Sequence, residues 1–327
     1  MVDPRGAGGD KRRLRLVFCG TPQFAVPSLK LLLEQSDLEI AAVFTQPDRP
    51  RGRGQEIALS PVKQVALAAK LPVHQPAKIR APEIQTQLGE IAPDAIVIIA
   101  YGQIIPARLL TIPRLGWINL HASLLPKFRG AAPIHWAIAS GETRTGNTTM
   151  RIDAGMDTGE MLLQKDLPIR LDETTPELAE RLSEAGGPLM VETLRGLRDG
   201  TLHGRPQDHA EASLAPILKR ADGRVDWRRT AGEIYNRMRG FTPWPGAYTE
   251  FRGQTCQIFG RPVSNGLKGS EKHLDPGTLL ETTDKLSVVC GTGSVFELSS
   301  VKLEGRKQVS ATEFLRGARL QPGERFV

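Results

Sequence analysis

Asn119 and His121 are the two side chains of this sequence best placed to do chemistry together. They lie in Trp117-Ile118-Asn119-Leu120-His121, which reads as a strand, and residues two apart on a strand project from the same face. Directly afterwards Ser123-Leu124-Leu125-Pro126 leaves regular structure, so the pair stands near the strand's carboxyl end. A neutral amide donor beside an imidazole can aim hydrogen bonds at a developing oxyanion. The same two residues also fit a polar pair satisfied inside a core. Two acids, Asp153 and Asp157, flank a glycine turn within residues 150–159. Either can orient His121 or accept a proton, and either can instead bond its own backbone in the turn.

Other chemistries find little support. Cys19, Cys256 and Cys290 are far apart and form no CxxC pair, which argues against a disulfide framework or a zinc ribbon. The six histidines are scattered without an HExxH, so no metal site is expected. Ser28, Ser60 and Ser123 lack the GxSxG elbow of serine hydrolases. Gly20-Thr21-Pro22-Gln23-Phe24 is no GxGxxG, and no GxxxxGK[ST] occurs, so nicotinamide and nucleoside-triphosphate enzymes are disfavoured. The segment from Thr45 to Gln55 carries Arg49, Arg51 and Arg53 among Gly and Pro. It is long and basic for a strand-to-helix turn, and reads as an arm able to reach phosphates or as a solvated loop.

The elements that must position these residues alternate. Strand-like runs at 14–19, 40–45, 95–100 and 117–121 are separated by helical patterns at 24–33 and 60–70, and a further helix opens at Thr175-Pro176-Glu177. Ser60-Pro61 reads as an N-cap followed by proline at the first helical position. Ala95-Ile96-Val97-Ile98-Ile99-Ala100 is apolar throughout, as a strand buried on both faces requires. The expected class is α/β, with an open Rossmann-like sheet over 14–200 whose ligands lie beyond the strands' carboxyl ends. Residues 201–222 read as a linker. From 223 to 327 come two capping boxes, Thr230-x-x-Glu233 and Ser310-x-x-Glu313, and short strand candidates, which predict a small OB-like β-barrel.

With 40 % hydrophobic and 24 % charged residues, the chain is no disordered or fibrous sequence. Its formal net charge is +7, and residues 223–327 hold 16 Lys and Arg against 11 Asp and Glu. A basic barrel is one way to hold an oligonucleotide, and a solvated charged face is the other reading. The longest apolar stretch is broken by Gly102 and Pro106, so no membrane span is expected. Residues 1–13 read as a frayed tail, and the protein is expected to be cytoplasmic and monomeric.

Taken together, Asn119-Leu120-His121-Ala122-Ser123-Leu124-Leu125-Pro126 and Arg129-Gly130-Ala131-Ala132-Pro133-Ile134 resemble the signature of the folate-dependent formyltransferases. Asp157-Thr158-Gly159 resembles that family's catalytic aspartate turn. Three features resemble its tRNA-directed branch: the loop Phe44-Thr45-Gln46-Pro47-Asp48-Arg49-Pro50-x-Gly52-Arg53-Gly54, the following Ser60-Pro61-Val62-Lys63, and Asp226-Trp227 with Pro243-Trp244-Pro245. The resemblance covers nearly the whole chain after its first dozen residues. It implies transfer of the formyl group of 10-formyltetrahydrofolate to the α-amine of methionyl initiator tRNA, without a metal. It assigns catalysis to Asn119, His121 and Asp157, and thereby chooses between the two acids. It assigns folate binding to Ser123, Leu124, Leu125 and Pro126, and tRNA contact to Arg53 with Arg51 and Arg49 beside it. The strand end at 98–102 is a further expected wall of the folate site from its position. Asn147, Thr149 and Trp136 depart from the family pattern. Formyl transfer to a glycinamide ribonucleotide or an amino-sugar, formyl-folate hydrolysis, and a non-catalytic tRNA-binding module are the alternatives. They leave, respectively, the basic loop with the Pro-Trp-Pro motif and the intact Asn-His-Asp set unexplained.

Overall fold

Alternating apolar strands and one-sided helices assemble as the sequence pattern demands in the computed structural model, which describes residues 13–51, 56–263, 273–282 and 285–327. In chain order the first elements are β1 (Leu14–Gly20), α1 (Val26–Glu34) and β2 (Leu38–Phe44). A small antiparallel hairpin follows, β3 (Arg49–Arg51) with β4 (Glu56–Ala58), where the sequence reading expected only a loop. Next come α2 (Pro61–Ala68), β5 (Val73–His74), α3 (Pro82–Ile91), β6 (Ala95–Ile99), α4 (Ala107–Leu110) and β7 (Trp117–His121). Then follow α5 (Pro133–Ala139), β8 (Arg144–Arg151), β9 (Met161–Pro168) and α6 (Thr175–Asp199).

The main sheet has the order β5-β2-β1-β6-β7-β8-β9. Pairing is parallel from β5 to β7, and β8 runs antiparallel to β7. Side-chain alternation divides its core into two layers. Leu16, Phe18, Val97, Ile99, Ile118 and Leu120 face one way, with Leu189 and Leu194 of α6 packed on them. Val17, Cys19, Ile96, Ile98 and Trp117 face the other way, with Leu88 of α3 and Leu109 of α4. Asn119 and His121 continue the second row beyond Trp117, so they emerge where that apolar layer ends. The Trp117 indole donates to the Leu109 carbonyl at 2.7 Å, which ties β7 to α4.

Local chemistry explains the helix starts. Ser60 accepts from the Lys63 amide at 3.1 Å, the cap anticipated at α2. At α6 the cap lies one residue earlier than expected. Thr174, not Thr175, receives the capping role, because its amide and hydroxyl both donate to Glu177 three residues on. The Thr175 hydroxyl instead donates to the Gly240 carbonyl at 2.6 Å.

The second sheet is antiparallel and lies in the carboxyl-terminal third. After α7 (Ala231–Gly240) come β10 (Tyr248–Phe251), β11 (Gln254–Pro262), β12 (Leu279–Glu281), β13 (Leu286–Val289), β14 (Val295–Leu303), β15 (Val309–Ser310) and α8 (Ala311–Ala318). The order is β10-β11-β14-β13-β12, with β15 on β14. Residues 324–327 bridge its two edges: Val327 exchanges backbone bonds with Glu250, while Phe326 donates to Gly277 and Leu279 donates to Glu324. These bonds roll the sheet into an OB-like barrel around Trp227, Phe251, Phe296 and Phe326. Both anticipated capping boxes, Thr230 with Glu233 and Ser310 with Glu313, are formed.

The chain divides into two compact units that interleave in sequence. The first holds residues up to Arg129, Gly146–Leu167 and Ala179–Leu214; the second holds Gly130–Thr145, Pro168–Leu178 and Ala215–Val327. The contiguous boundaries at 200 and 223 drawn from composition therefore differ from the packing. Residues 205–214 are bonded back into the first unit, Arg205 to Met161 and Ser213 to Arg129. In the second unit α5 packs on α7, where Trp136 meets Phe241 edge-on at 5.3 Å and donates to the Pro216 carbonyl at 2.8 Å.

Gly186 of α6 lies against Leu120, the residue between Asn119 and His121, and a Cβ there would collide with the leucine's Cδ2. Gly186→Ala is expected to destabilise the protein by about 1–3 kcal/mol through overpacking under β7. Thermal unfolding measures it, and an unchanged midpoint would refute the close packing.

Candidate active site

Strand β7 delivers Asn119 and His121 to its carboxyl end, both buried, at 9 % and 6 % exposure. The Asn119 side-chain amide has no hydrogen-bond partner among the described residues. His121 is held on both sides. Its Nε2 faces the Phe128 carbonyl oxygen at 2.9 Å, and its Nδ1 faces Asp157 Oδ2 at 3.6 Å. A nitrogen that meets a carbonyl must carry a hydrogen, so Nε2 is the donor there.

The two acids of the 150–159 turn separate by role. Asp153 is exposed and builds the turn, accepting from the Gly155 amide at 3.0 Å and the Thr158 hydroxyl at 2.8 Å. Asp157 sits at φ 54° on the far side of the turn, with its carboxylate toward His121. Gly159 completes the motif by necessity, because a Cβ there would run into the Arg151 carbonyl.

The turn after β7 is fixed largely through its backbone. Ser123 is fully buried, and its hydroxyl donates to the Lys127 carbonyl at 2.6 Å. Thr148 donates to the Ser123 carbonyl and accepts from the Leu125 amide, while the Gln164 amide donates to the Leu125 carbonyl at 2.9 Å. Leu125 is buried, whereas Leu124 and Pro126 are partly exposed. Past the end of β6, Ala100 and Gly102 are exposed with φ of 48° and 83° and flank buried Tyr101.

The basic arm begins from a fixed base. The Gln46 side chain donates to the Tyr101 carbonyl at 3.0 Å, and Gln75 donates to the Gln46 carbonyl at 2.8 Å. Asp48 pairs with Lys63 and accepts from Gln75, and Lys63 beside it holds the Asp48 carboxyl below the usual carboxylate range. Arg49 is exposed in β3; the backbone of Arg51 pairs with Glu56, and Arg53 lies outside the described residues.

Sequence reasoning missed several residues around the site. Arg129 was quoted only within a motif, and Gln207 lay in the presumed linker; both are buried at 6 % exposure and bonded to each other. Thr148 and Gln164 carried no signal either, because their partners are backbone atoms distant in sequence. All three departures have structural partners, those of Trp136 being Phe241 and the Pro216 carbonyl. Asn147 donates to the Leu182 carbonyl at 2.7 Å, and the Thr149 and Thr193 hydroxyls meet at 2.7 Å, both anchoring β8 under α6.

The thiols offer no nucleophile. All three cysteines are buried, and burial pushes Cys256 up to about 11 and Cys290 up to about 12, with Cys19 raised further. No described helix is long and apolar enough to cross a membrane.

Comparison with known proteins follows the same outline. The family description "Formyl transferase" matches residues 13–194, and "Formyl transferase, C-terminal domain" matches 217–319. A methionyl-tRNA formyltransferase of Acidobacterium capsulatum is 53 % identical over 314 residues, covering 96 % of this chain and 99 % of the relative. One from Koribacter versatilis is 52 % identical over 305 residues, covering 93 % and 96 %. Among solved structures, the sugar 3N-formyl transferase WlaRD, determined in the presence of dTDP and 5-N-formyl-THF, shares the fold. Its TM-score is 0.65 at 18 % identity, covering 91 % of this chain and all of the other.

Gly159→Ala is expected to push the Asp157 turn off Arg151. Hydrogen exchange should then quicken across residues 153–159, and unchanged protection would refute the steric argument.

Proposed function

The chain belongs to the formyl transferase family, and on that premise we propose that it transfers the formyl group of 10-formyltetrahydrofolate to the α-amine of methionyl initiator tRNA. The observation that carries the mechanism is the Asn119–His121–Asp157 arrangement at the carboxyl end of β7, where an open α/β sheet binds its ligands.

The chemistry needs no covalent intermediate. An α-amine has a pKa of about 8, so about a tenth of it is free base at pH 7, and that form can attack the formyl carbon directly. Attack generates a tetrahedral oxyanion. The Asn119 amide, without a partner among the described residues, is the donor available to it, and such a bond strengthens as the charge develops. The His121 ring serves from its fixed position. Its Nε2 donates to the Phe128 carbonyl, and a proton taken up at Nδ1 during the reaction faces Asp157 and sets positive charge beside the oxyanion. Asp157 holds that ring and takes the proton released by the amine, through water. The folate nitrogen N10 leaves with the bond electrons and is protonated in turn.

The folate is assigned to the turn at Ser123, Leu124, Leu125 and Pro126, where Leu124 and Pro126 offer surface and the buried Ser123 and Leu125 hold the backbone. The strand end at 98–102, where Ala100 and Gly102 are exposed, is assigned a further wall. WlaRD, with its folate analogue, supports a folate donor for this fold. The Asp48–Lys63 base aims the arm, and Arg49, Arg51 and Arg53 supply cations for the tRNA. The carboxyl-terminal barrel, with its surplus of Lys and Arg, supplies more.

Purified protein with 10-formyltetrahydrofolate and charged initiator tRNA is expected to yield N-formylmethionyl-tRNA, and charged elongator tRNA far less. Asn119→Ala and His121→Ala should each lower kcat by about 10²–10³-fold with little change in folate affinity. Full activity in both would defeat the assignment. The KM for tRNA should rise steeply between 50 and 200 mM salt (about these concentrations), because phosphate contacts release counterions. A KM indifferent to salt would remove the phosphate-holding role of the basic surface.

A further inference from the structure

Gln207 and Arg129 form a bonded chain that closes on both partners of His121. The Gln207 side-chain nitrogen donates to the Asp157 carbonyl and to the Gly159 carbonyl, each at 2.8 Å. Its oxygen accepts from Arg129 Nε at 2.9 Å and from a terminal guanidinium nitrogen at 2.7 Å. The other terminal nitrogen of Arg129 meets His209 Nδ1 at 3.1 Å. Both side chains are 6 % exposed, and every hydrogen-bonding atom of the Gln207 amide is engaged.

The route can be followed around a ring. His121 Nε2 bonds the Phe128 carbonyl, and Phe128 is covalently joined to Arg129. Arg129 grips Gln207, Gln207 grips the backbone of Asp157, and the Asp157 carboxylate returns to His121 Nδ1. The backbone of this corner is tied down as well. The Phe128 amide donates to the Ser213 hydroxyl at 2.9 Å, and the Arg129 amide to the Ser213 carbonyl at 2.8 Å.

We infer that Gln207, backed by Arg129, is a positioning residue for formyl transfer: it sets the distance between Asp157 and His121 by holding the aspartate's own turn. Neither residue touches the reacting atoms. Gln207 acts through two N–H donors aimed at carbonyls of the Asp157-Thr158-Gly159 turn, and Arg129 fixes the amide's orientation so that these donors cannot flip away. The inference rests on the catalytic reading of Asn119, His121 and Asp157 given above.

Gln207→Glu and Gln207→Leu test it. Glutamate keeps the shape and the Arg129 pairing but has no N–H to give, so it faces two carbonyl oxygens with a carboxylate. Both variants are expected to lose about 10- to 100-fold in kcat, the scale of an ångström-size misplacement, with the KM for tRNA and for folate within about two-fold of the parent. A Gln207→Glu enzyme with parental kcat would overturn the positioning role. Equal rises in both KM values at unchanged kcat would overturn it too, since they would mean loss of substrate binding. A second readout covers variants that fail to fold. The ring N–H of His121 in the unaltered enzyme should be protected from solvent exchange by nitrogen-15 NMR, and a freely exchanging ring overturns the closed arrangement. An unaltered enzyme that does not formylate initiator tRNA, yet shows a protected ring, would instead overturn the functional reading and leave the network standing.

Discussion

A strand in the middle of a sheet covered on both faces has no room for unsatisfied polar side chains, yet β7 carries an amide and an imidazole at its last turn of pleat. The conflict is resolved at the edge of the apolar layer. Trp117 fills the layer and is bonded to α4, and the next two residues of its row stand beyond it. His121 is then given the Phe128 carbonyl as an acceptor for Nε2 and the Asp157 carboxylate opposite Nδ1, which offset the cost of burying it. Asn119 is left with its amide open. That amide keeps some access to solvent at the mouth of the strand, and under the proposed reaction it is the group that bonds the transition state.

Much of the architecture beyond that strand serves to keep it still. Gly186 allows α6 to lie directly on Leu120. Thr148 and Gln164, from β8 and β9, hold the backbone of the turn after β7. The 150–159 turn divides its two acids between building and facing: Asp153 bonds within the turn, which frees Asp157 to point at the imidazole. In the second unit the barrel is closed by the hydrogen bonds of residues 324–327, which spare it two open sheet edges.

The sequence was legible where the determining interaction is local. Capping at Ser60, Thr230 and Ser310 depends on a residue three positions away, and β7 on five consecutive residues, so both could be read directly. At α6 two adjacent threonines offered the same hydroxyl, and the spacing to Glu177 rather than the proline identified the cap. The choice of Asp157 over Asp153 needed the family resemblance, since turn chemistry alone favours neither. Gln207 was out of reach: a neutral amide among Gly and Pro has no periodicity or motif, and its meaning comes from carbonyls 48 and 50 residues earlier. The same reason hid the fold-back of residues 205–214, whose polar composition resembles a tether while their hydrogen bonds belong to the first unit.

The bond between Arg129 and Gln207 spans 78 residues of chain. The residues that carry the signature are therefore synthesised well before the one that locks them. A growing polypeptide that has emerged only as far as β9 possesses Asn119, His121 and Asp157, yet the loop through which the imidazole and carboxylate are aligned is still open. Alignment is thus a late event in the life of each molecule. It depends on a contact of high sequence separation whose closure entropy is offset only once the surrounding sheet has formed. If Gln207 positions Asp157 as proposed, full activity awaits completion of the first unit rather than the appearance of its motif.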